Sequence, residues 1–196
     1  MANLLFSVPA FHAAYMQEFA LNDKTMPAMH NIHATPDYMF ALDGHTMLVS
    51  ESVAWHADTY GASFSFRYTA EIVKALRNKK ATSLEVYYDP DRKRTDFVVD
   101  GVGQFPADDA SCDTSSGLLS TSIIPPNIKD FLSNMLPEVG AYCHPSAKLN
   151  PKNMAALVKM GKTFQIDFGK APSDPMLVTW PDTPGLRAFV MPFVEP

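Results

Sequence analysis

A strand-then-helix unit recurs four times along this chain. It starts at Phe6 (FSVPAFHAAYMQEFA), Phe64 (FSFRYTAEIVKALRN), Thr121 (TSIIPPNIKDFLSNM) and Ala147 (AKLNPKNMAALVKMG). Each copy opens on a short apolar strand, breaks at a polar residue or proline, and continues as a short amphipathic helix. Three of the four lead into alternating apolar and polar residues, the pattern of half-buried strands. A unit repeated along a chain constrains the architecture before any one residue is interpreted. Helices recurring on one side of long antiparallel sheets give an α+β molecule that works as a surface rather than as a pocket.

In the first copy, strand Leu4–Val8 meets Pro9, which suits the first turn of a helix because its missing N–H costs little there. The helix is expected to run to about Ala20, with Phe11, Tyr15 and Phe19 as its apolar stripe. Strands follow at Met29–Ala34, Tyr38–Leu42 and Thr46–Trp55, with a hairpin at Asp43-Gly44. The block reads β-α-β-β-β. After a loop at 57–62 the second copy repeats it. Its helix buries Ile72, Val73 and Leu76, its hairpin turns at Asp89-Pro90-Asp91, and a short strand lies near Val102–Phe105. Residues 1–108 therefore form one expected domain of two halves. A polar, small-residue stretch at 109–117 reads as a linker, and 118–196 as a second domain. There the third copy, with Ile128, Phe131, Leu132 and Met135 on its helix, is truncated: Pro137–Ser146 leaves no room for three strands. The fourth is complete, with a helix over Pro151–Met160 and strands at Thr163–Phe168, Met176–Trp180 and Leu186–Phe193.

At 196 residues and 46% hydrophobic, the chain can bury a normal core. No apolar run approaches the roughly 18 residues needed to span a bilayer, and MANLLFSVPAF has no basic region ahead of its apolar stretch, so no signal peptide is expected. Cys112 and Cys143 form no CxxC, and free thiols in a reducing, cytoplasmic compartment are expected. The net charge of −5 argues against a simple basic nucleic-acid binder, but its distribution is uneven. Thr69–Lys80 carries +3 and Pro151–Lys162 carries +3, which leaves −11 for the remainder. Lysines lie on the solvent face of any amphipathic helix. The same bias in two equivalent helices also has the form of an electrostatic footprint on an acidic protein.

No catalytic constellation emerges. His30 and His33 form an HxxH, but in a strand positions three apart face opposite sides and cannot easily share one metal. His45 follows a turn glycine, and Asp37 and Asp43 are turn residues. No nucleophile elbow, Walker loop or dinucleotide-binding glycine pattern is present. The expectation is a non-enzyme without metal or cofactor.

Taken in order, these segments resemble the DNA polymerase sliding clamps, and most closely the bacterial DNA polymerase III beta type. FSFRYTAEIVKALRNKK with SLEVYYDPDRKRTDFVVDGVGQFPADD is similar to the second half of a clamp domain. YMFALDGHTML resembles the clamp hairpin that often carries A-T-D-G-x-x-L, and LNPKNMAALVK with PMLVTWPDTPGLRAFVMPFVEP resembles the clamp C-terminus with its V-M-P strand. The likeness covers nearly the whole chain except Leu118–Ser146. It implies a ring of six domains, helices lining the hole, that encircles duplex DNA without reading bases and tethers a replicative polymerase. Carried onto this sequence, Lys74, Arg77, Lys79, Lys80, Lys129, Lys152, Lys159 and Lys162 are the implied DNA contacts. Leu177, Val190, Met191, Pro192 and Phe193 are the implied pocket for short apolar peptides of the polymerase and clamp loader. Two domains per chain imply a homotrimer, from a small genome such as a phage, working in the host cytoplasm with no membrane partner. The first helix departs from the pattern, with Glu18 and His12 and no basic residue before Lys24. The alternative is a clamp-fold interaction protein or decoy that binds replication partners without encircling DNA.

Overall fold

The computed structural model describes residues 1–56, 63–122, 151–169 and 173–192. The third repeat's helix, Lys129, Cys143 and Phe193 lie outside them. The first repeat supplies strand β1 (Asn3–Pro9), helix α1 (Ala10–Ala14), a 3-10 turn (Met16–Phe19), helix α2 (Pro27–His30) and strands β2 (Ile32–Ala34), β3 (Met39–Leu42), β4 (Thr46–Ser50) and β5 (Ala54–Trp55). The second supplies β6 (Phe64–Phe66), α3 (Ala70–Leu76), β7 (Ser83–Asp89), β8 (Arg94–Val99) and β9 (Gly103–Pro106). A 3-10 turn at Asp109–Ser111 and β10 (Ser120–Thr121) follow. The fourth repeat supplies α4 (Pro151–Lys159), β11 (Gln165–Asp167), β12 (Met176–Thr179) and β13 (Leu186–Val190).

The first and second repeats exchange strands. β1 pairs with β7 of the second repeat, giving a five-stranded sheet in the order β5-β1-β7-β8-β9. β6 pairs with β2 of the first repeat in an eight-stranded sheet ordered β10-β6-β2-β3-β4-β13-β12-β11. Neither repeat can complete a sheet alone. The larger sheet also joins the ends of the chain: β4 pairs antiparallel with β13, from Leu186 opposite Ser50 to Val190 opposite Thr46.

Strand alternation decides what each face carries. In the larger sheet Ile32, Ala34, Met39, Ala41, Leu48, Phe64, Phe66, Val178, Ala188 and Val190 face the main core. They meet Phe6, Val8, Leu84, Val86, Phe97 and Val99 of the smaller sheet there. Phe6 ties the sheets together, stacking on Trp55 at 5.4 Å and on Phe66 at 6.1 Å between ring centroids. The intervening residues form a second apolar cluster on the opposite face: Phe40, Met47, Val49, Leu177 and Phe189, flanked by Tyr38 and Leu42.

Two helical expectations are corrected. The first helix does not run to Ala20. It ends at Ala14, Tyr15 leaves the helical path, and Met16–Phe19 tightens into a 3-10 turn. Three residues per turn brings Met16 and Phe19 onto one side, and both are fully buried. Ala10, Ala13 and Ala14 make the core face of α1, so Phe11 and Tyr15 are only partly buried. Likewise, Pro27 at the first helical position starts α2 over part of the expected strand Met29–Ala34, and only Ile32–Ala34 pairs in the sheet. The second helix follows its reading except at Val73, which is only partly buried while Ala75 takes a core position. Thr69 caps α3 by accepting from the Ile72 N–H, and Ile72 and Leu76 are buried.

The stretch 109–117 holds a 3-10 turn and a hydrogen-bonded turn after it. The Asp113 carboxylate accepts from the N–H groups of Ser115 and Ser116. The Tyr88 hydroxyl donates to the Ser116 carbonyl, and the Thr95 hydroxyl donates to the Gly117 carbonyl. Gly117 has φ +69°, and a Cβ there would lie 1.7 Å from the Lys93 carbonyl oxygen. Only glycine lets the two backbones approach so closely.

Both buried histidines are structural. His33 on β2 donates from Nε2 to the Ala28 carbonyl at 2.9 Å, accepts at Nδ1 from the Ser122 hydroxyl at 2.8 Å, and stacks on Phe40. Its ring nitrogens are spent, and among the described residues no group of three or more His, Cys, Asp or Glu is placed to hold a metal. His12 on α1 hydrogen-bonds through Nδ1 to the Ser50 hydroxyl on β4 at 2.8 Å. Burial lowers the His33 pKa to about 4, and burial with the nearby Lys162 charge lowers His12 to about 4, against 6.5 for a free imidazole. Between these values the unfolded chain binds protons that the native state refuses, so stability is full above 6.5 and falls as pH drops towards 4. Each histidine should cost about 3 kcal/mol across that window. Urea unfolding of His33→Asn over the same range should show a shallower pH slope than the native chain, by roughly that amount. An unchanged slope would mean that His33 does not stay neutral in the fold.

Candidate functional site: a basic helical face and an apolar cleft

α1 with its 3-10 turn, α3 and α4 come together on one face, and charged side chains join them. Glu18 on the 3-10 turn is the hub. One carboxylate oxygen accepts from the Arg77 guanidinium just past α3 at 2.8 Å, and the other accepts from the Lys159 ammonium of α4 at 2.7 Å. The Lys159 and Arg77 hydrogen bonds hold its carboxyl below the usual range, against an opposing effect of burial. The aromatic residues of α1 carry cations. The Arg77 guanidinium lies 5.0 Å from the Tyr15 ring centre and the Lys162 ammonium 4.1 Å from that of Phe11. Lys162 also donates to the Thr183 hydroxyl at 3.2 Å. Such contacts order long side chains that would otherwise be free in solvent.

The sequence-implied cations therefore divide. Lys74, Lys79 and Lys80 are exposed on and after α3, and the Lys80 N–H is fixed by the Asn78 side chain. Lys152 is exposed at the start of α4. Arg77 and Lys159 are paired to Glu18, and Lys162 is packed on Phe11. α4 turns Leu157 into the core and Met160, just past its end, is buried too, which leaves Lys152 and Lys159 towards solvent. Sequence reasoning noticed Glu18 only as a departure from the expected pattern. Its partners lie 59 and 141 residues away, and no local signal points to them.

On the opposite face, an apolar cleft of about 240 Å³ opens where β4 begins and β13 ends. It is lined by Leu42, Gly44, His45, Thr46, Met47, Phe189 and Met191. The Asp43-Gly44 turn shapes its rim. The Asp43 carboxylate accepts from the N–H groups of His45 and Thr46, Gly44 has φ +89°, and the Met191 N–H donates to the His45 carbonyl at 2.8 Å. Of the sequence-implied pocket residues, Met191 lines this cleft. Leu177 belongs to the adjoining outer cluster, Pro192 next after Met191 is buried, and Val190 faces the main core instead. Leu42, Met47 and Phe189 were missed. The alternation of LRAFV carries the signal, since Phe189 must face away from Leu186, Ala188 and Val190.

Cys112 is a free, half-buried thiol whose pKa is raised by burial and by Asp109. No helix among the described residues is long and apolar enough to cross a membrane.

No protein-family model matches this sequence, and no curated protein matches it. Solved structures do. The DNA polymerase III beta subunit of Thermotoga maritima aligns over 98% of this chain and 66% of its own, at 15% identity and a TM-score of 0.53. The beta sliding clamp of Caulobacter crescentus aligns over 99% and 66%, at 11% identity and a TM-score of 0.59. The DNA polymerase sliding clamp of Bacillus subtilis aligns over 98% and 64%, at 13% identity and a TM-score of 0.54. The chain thus spans about two thirds of the length of the structures it matches. At identities this low the likeness is one of architecture: two antiparallel sheets with short helices gathered on one face, in the fold of the bacterial beta-type sliding clamp.

Proposed function

We propose that this chain is a non-enzymatic DNA sliding clamp that encircles duplex DNA and tethers a replicative polymerase for processive synthesis. The observation that carries the reading is the helical face. Exposed Lys74 on α3, Lys79 and Lys80 in the turn that follows it, and Lys152 at the start of α4 stand on equivalent segments of two repeats, in a chain whose remaining residues carry a net negative charge. Lysines on helices hold phosphates without reading bases, which suits a protein that must grip and slide. The proposed domains are 1–108 and 118–196, joined by the 109–117 turn. Three chains would supply six domains. The ring needs strand edges that find partners, and β9 ends its sheet with one side open among the described residues. The cleft lined by Met47, Phe189 and Met191, with Leu177 beside it, is the proposed seat for a short apolar peptide of a polymerase or clamp loader. No cofactor is needed. A phage source and action in a host cytoplasm belong to the same proposal.

A specific observation favours a second reading. Glu18 pairs with two cations of the helical face and halves their net charge, which a decoy without DNA contacts would tolerate. Charge reversal separates the two. Lys74→Glu, Lys79→Glu and Lys80→Glu together should weaken duplex binding at least about tenfold, and flatten the dependence of log K on log salt by about 0.9 for each phosphate no longer neutralised. Duplex binding untouched by all three would sink the assignment of this face. Light scattering across a concentration series should give a mass of three chains; a monomer at every concentration would favour the decoy. Met191→Glu, at the half-buried rim of the cleft, should shorten polymerase extension on a primed circle while leaving duplex binding intact. Equal loss of both would show that the cleft is not a separate peptide site.

A further inference from the structure

Glu18 is held in place by its neighbours. Met16 and Phe19, on either side of it in the 3-10 turn, are fully buried, so its carboxylate is presented from a fixed backbone. Its two oxygens serve two cations from different repeats. One belongs to Arg77, whose guanidinium also lies over Tyr15; the other belongs to Lys159. Among the described residues no other carboxylate pairs with either cation. The side chains of Glu18, Arg77 and Lys159 retain 26%, 37% and 58% of their full exposure, so a polyanion can reach the triad from solvent. Partly exposed ion pairs of this kind are weak and screened by salt, so a phosphate can displace the carboxylate. Lys74, Lys79 and Lys80 have no such competitor among the described residues.

We infer that Glu18 limits the grip of the helical face on a phosphodiester backbone by holding Arg77 and Lys159 as an exchangeable reserve. Each carboxylate oxygen occupies a hydrogen-bonding position that a phosphate oxygen would otherwise take. Between phosphate contacts the cations return to Glu18 rather than to water, so each new ion pair forms at the expense of an existing one. The triad meets DNA with a net charge of +1 instead of the +2 of its two cations. The inference rests on the DNA-binding reading above and assigns the first repeat its part in it: the helical segment without lysines regulates the lysines and arginine of the others.

The test is fluorescence anisotropy with a short labelled duplex over a series of salt concentrations, using the full chain. Glu18→Gln keeps the shape and removes the charge. It should bind the duplex several-fold more tightly at low salt. Its plot of log K against log salt should steepen by up to about 1.8, the value for two additional phosphates neutralised. A purely structural role for Glu18 would leave that slope alone. Arg77→Gln with Lys159→Gln should weaken binding much more in the Glu18→Gln background than in the native one, because residues that share a partner are not additive. This pair of substitutions in the native background also tests the inference should Glu18→Gln fail to fold. A slope reduced there by the full 1.8 or so would mean that both cations are already committed to DNA, and would overturn it. Native binding with no change in Glu18→Gln overturns this inference alone. Failure of both the native chain and the variant to bind duplex at the lowest salt, with circular dichroism intact, overturns the DNA reading and the inference with it.

Discussion

The pairing of β4 with β13 is the interaction on which the rest of this structure depends. It joins a strand of the first repeat to a strand of the fourth, and converts two partial sheets into one of eight strands. Unpaired strand edges are templates for unwanted association; here the β4 and β13 edges complete each other. The register is fixed by burial on both faces. Leu48, Ala188 and Val190 point into the main core, while Met47, Val49 and Phe189 build the outer cluster. A slip of one residue would exchange the two sets and put Arg187 into the core. Arg187 instead pairs with Glu51 on the outer side, and the Glu51 N–H donates to the Gly185 carbonyl, which closes the seam at that end.

The same seam brings α4 beside the first repeat. α1 lies close to the sheet because its core face is alanine, at Ala10, Ala13 and Ala14. A helix with Phe11 and Tyr15 turned inward would stand further off. The small inner face therefore leaves both aromatic rings at the outer side, where Lys162 and Arg77 rest on them. Packing in the core thus decides the electrostatics of the surface: the helix that brings no lysine positions the cations of the other two.

Local features were legible in the sequence. The Asp43-Gly44 hairpin, the hairpin of β7 and β8 and the buried Ile72 and Leu76 follow from patterns a few residues long. The 3-10 turn was not, because helical spacing makes Phe11, Tyr15 and Phe19 look like one stripe, whereas the burial of Met16 and Phe19 depends on strands that meet them only in the fold. Which strand pairs with which is also non-local, and the exchange of β1 and β6 between repeats leaves no mark on either repeat. At the cleft the parity of β13 was readable from LRAFV, yet Val190 was grouped with Met191 by position near the end of the strand. Glu18 illustrates the same limit in charge. An acidic residue on an otherwise uncharged helix reads as an exception until the fold places Arg77 and Lys159 beside it.

Both candidate surfaces straddle the joint between the chain's two ends. On the outer side the cleft takes Leu42, Thr46 and Met47 from the first repeat and Phe189 and Met191 from the fourth. On the helical side the Glu18 triad takes one residue from each of the first, second and fourth repeats. Neither half of the chain carries either surface alone. One packed interior holds both in place, because β4, β13, α1 and α4 share one core. Close-packed interiors deform little and transmit displacement instead of absorbing it. The geometry of both surfaces therefore depends on the packing where β4 meets β13.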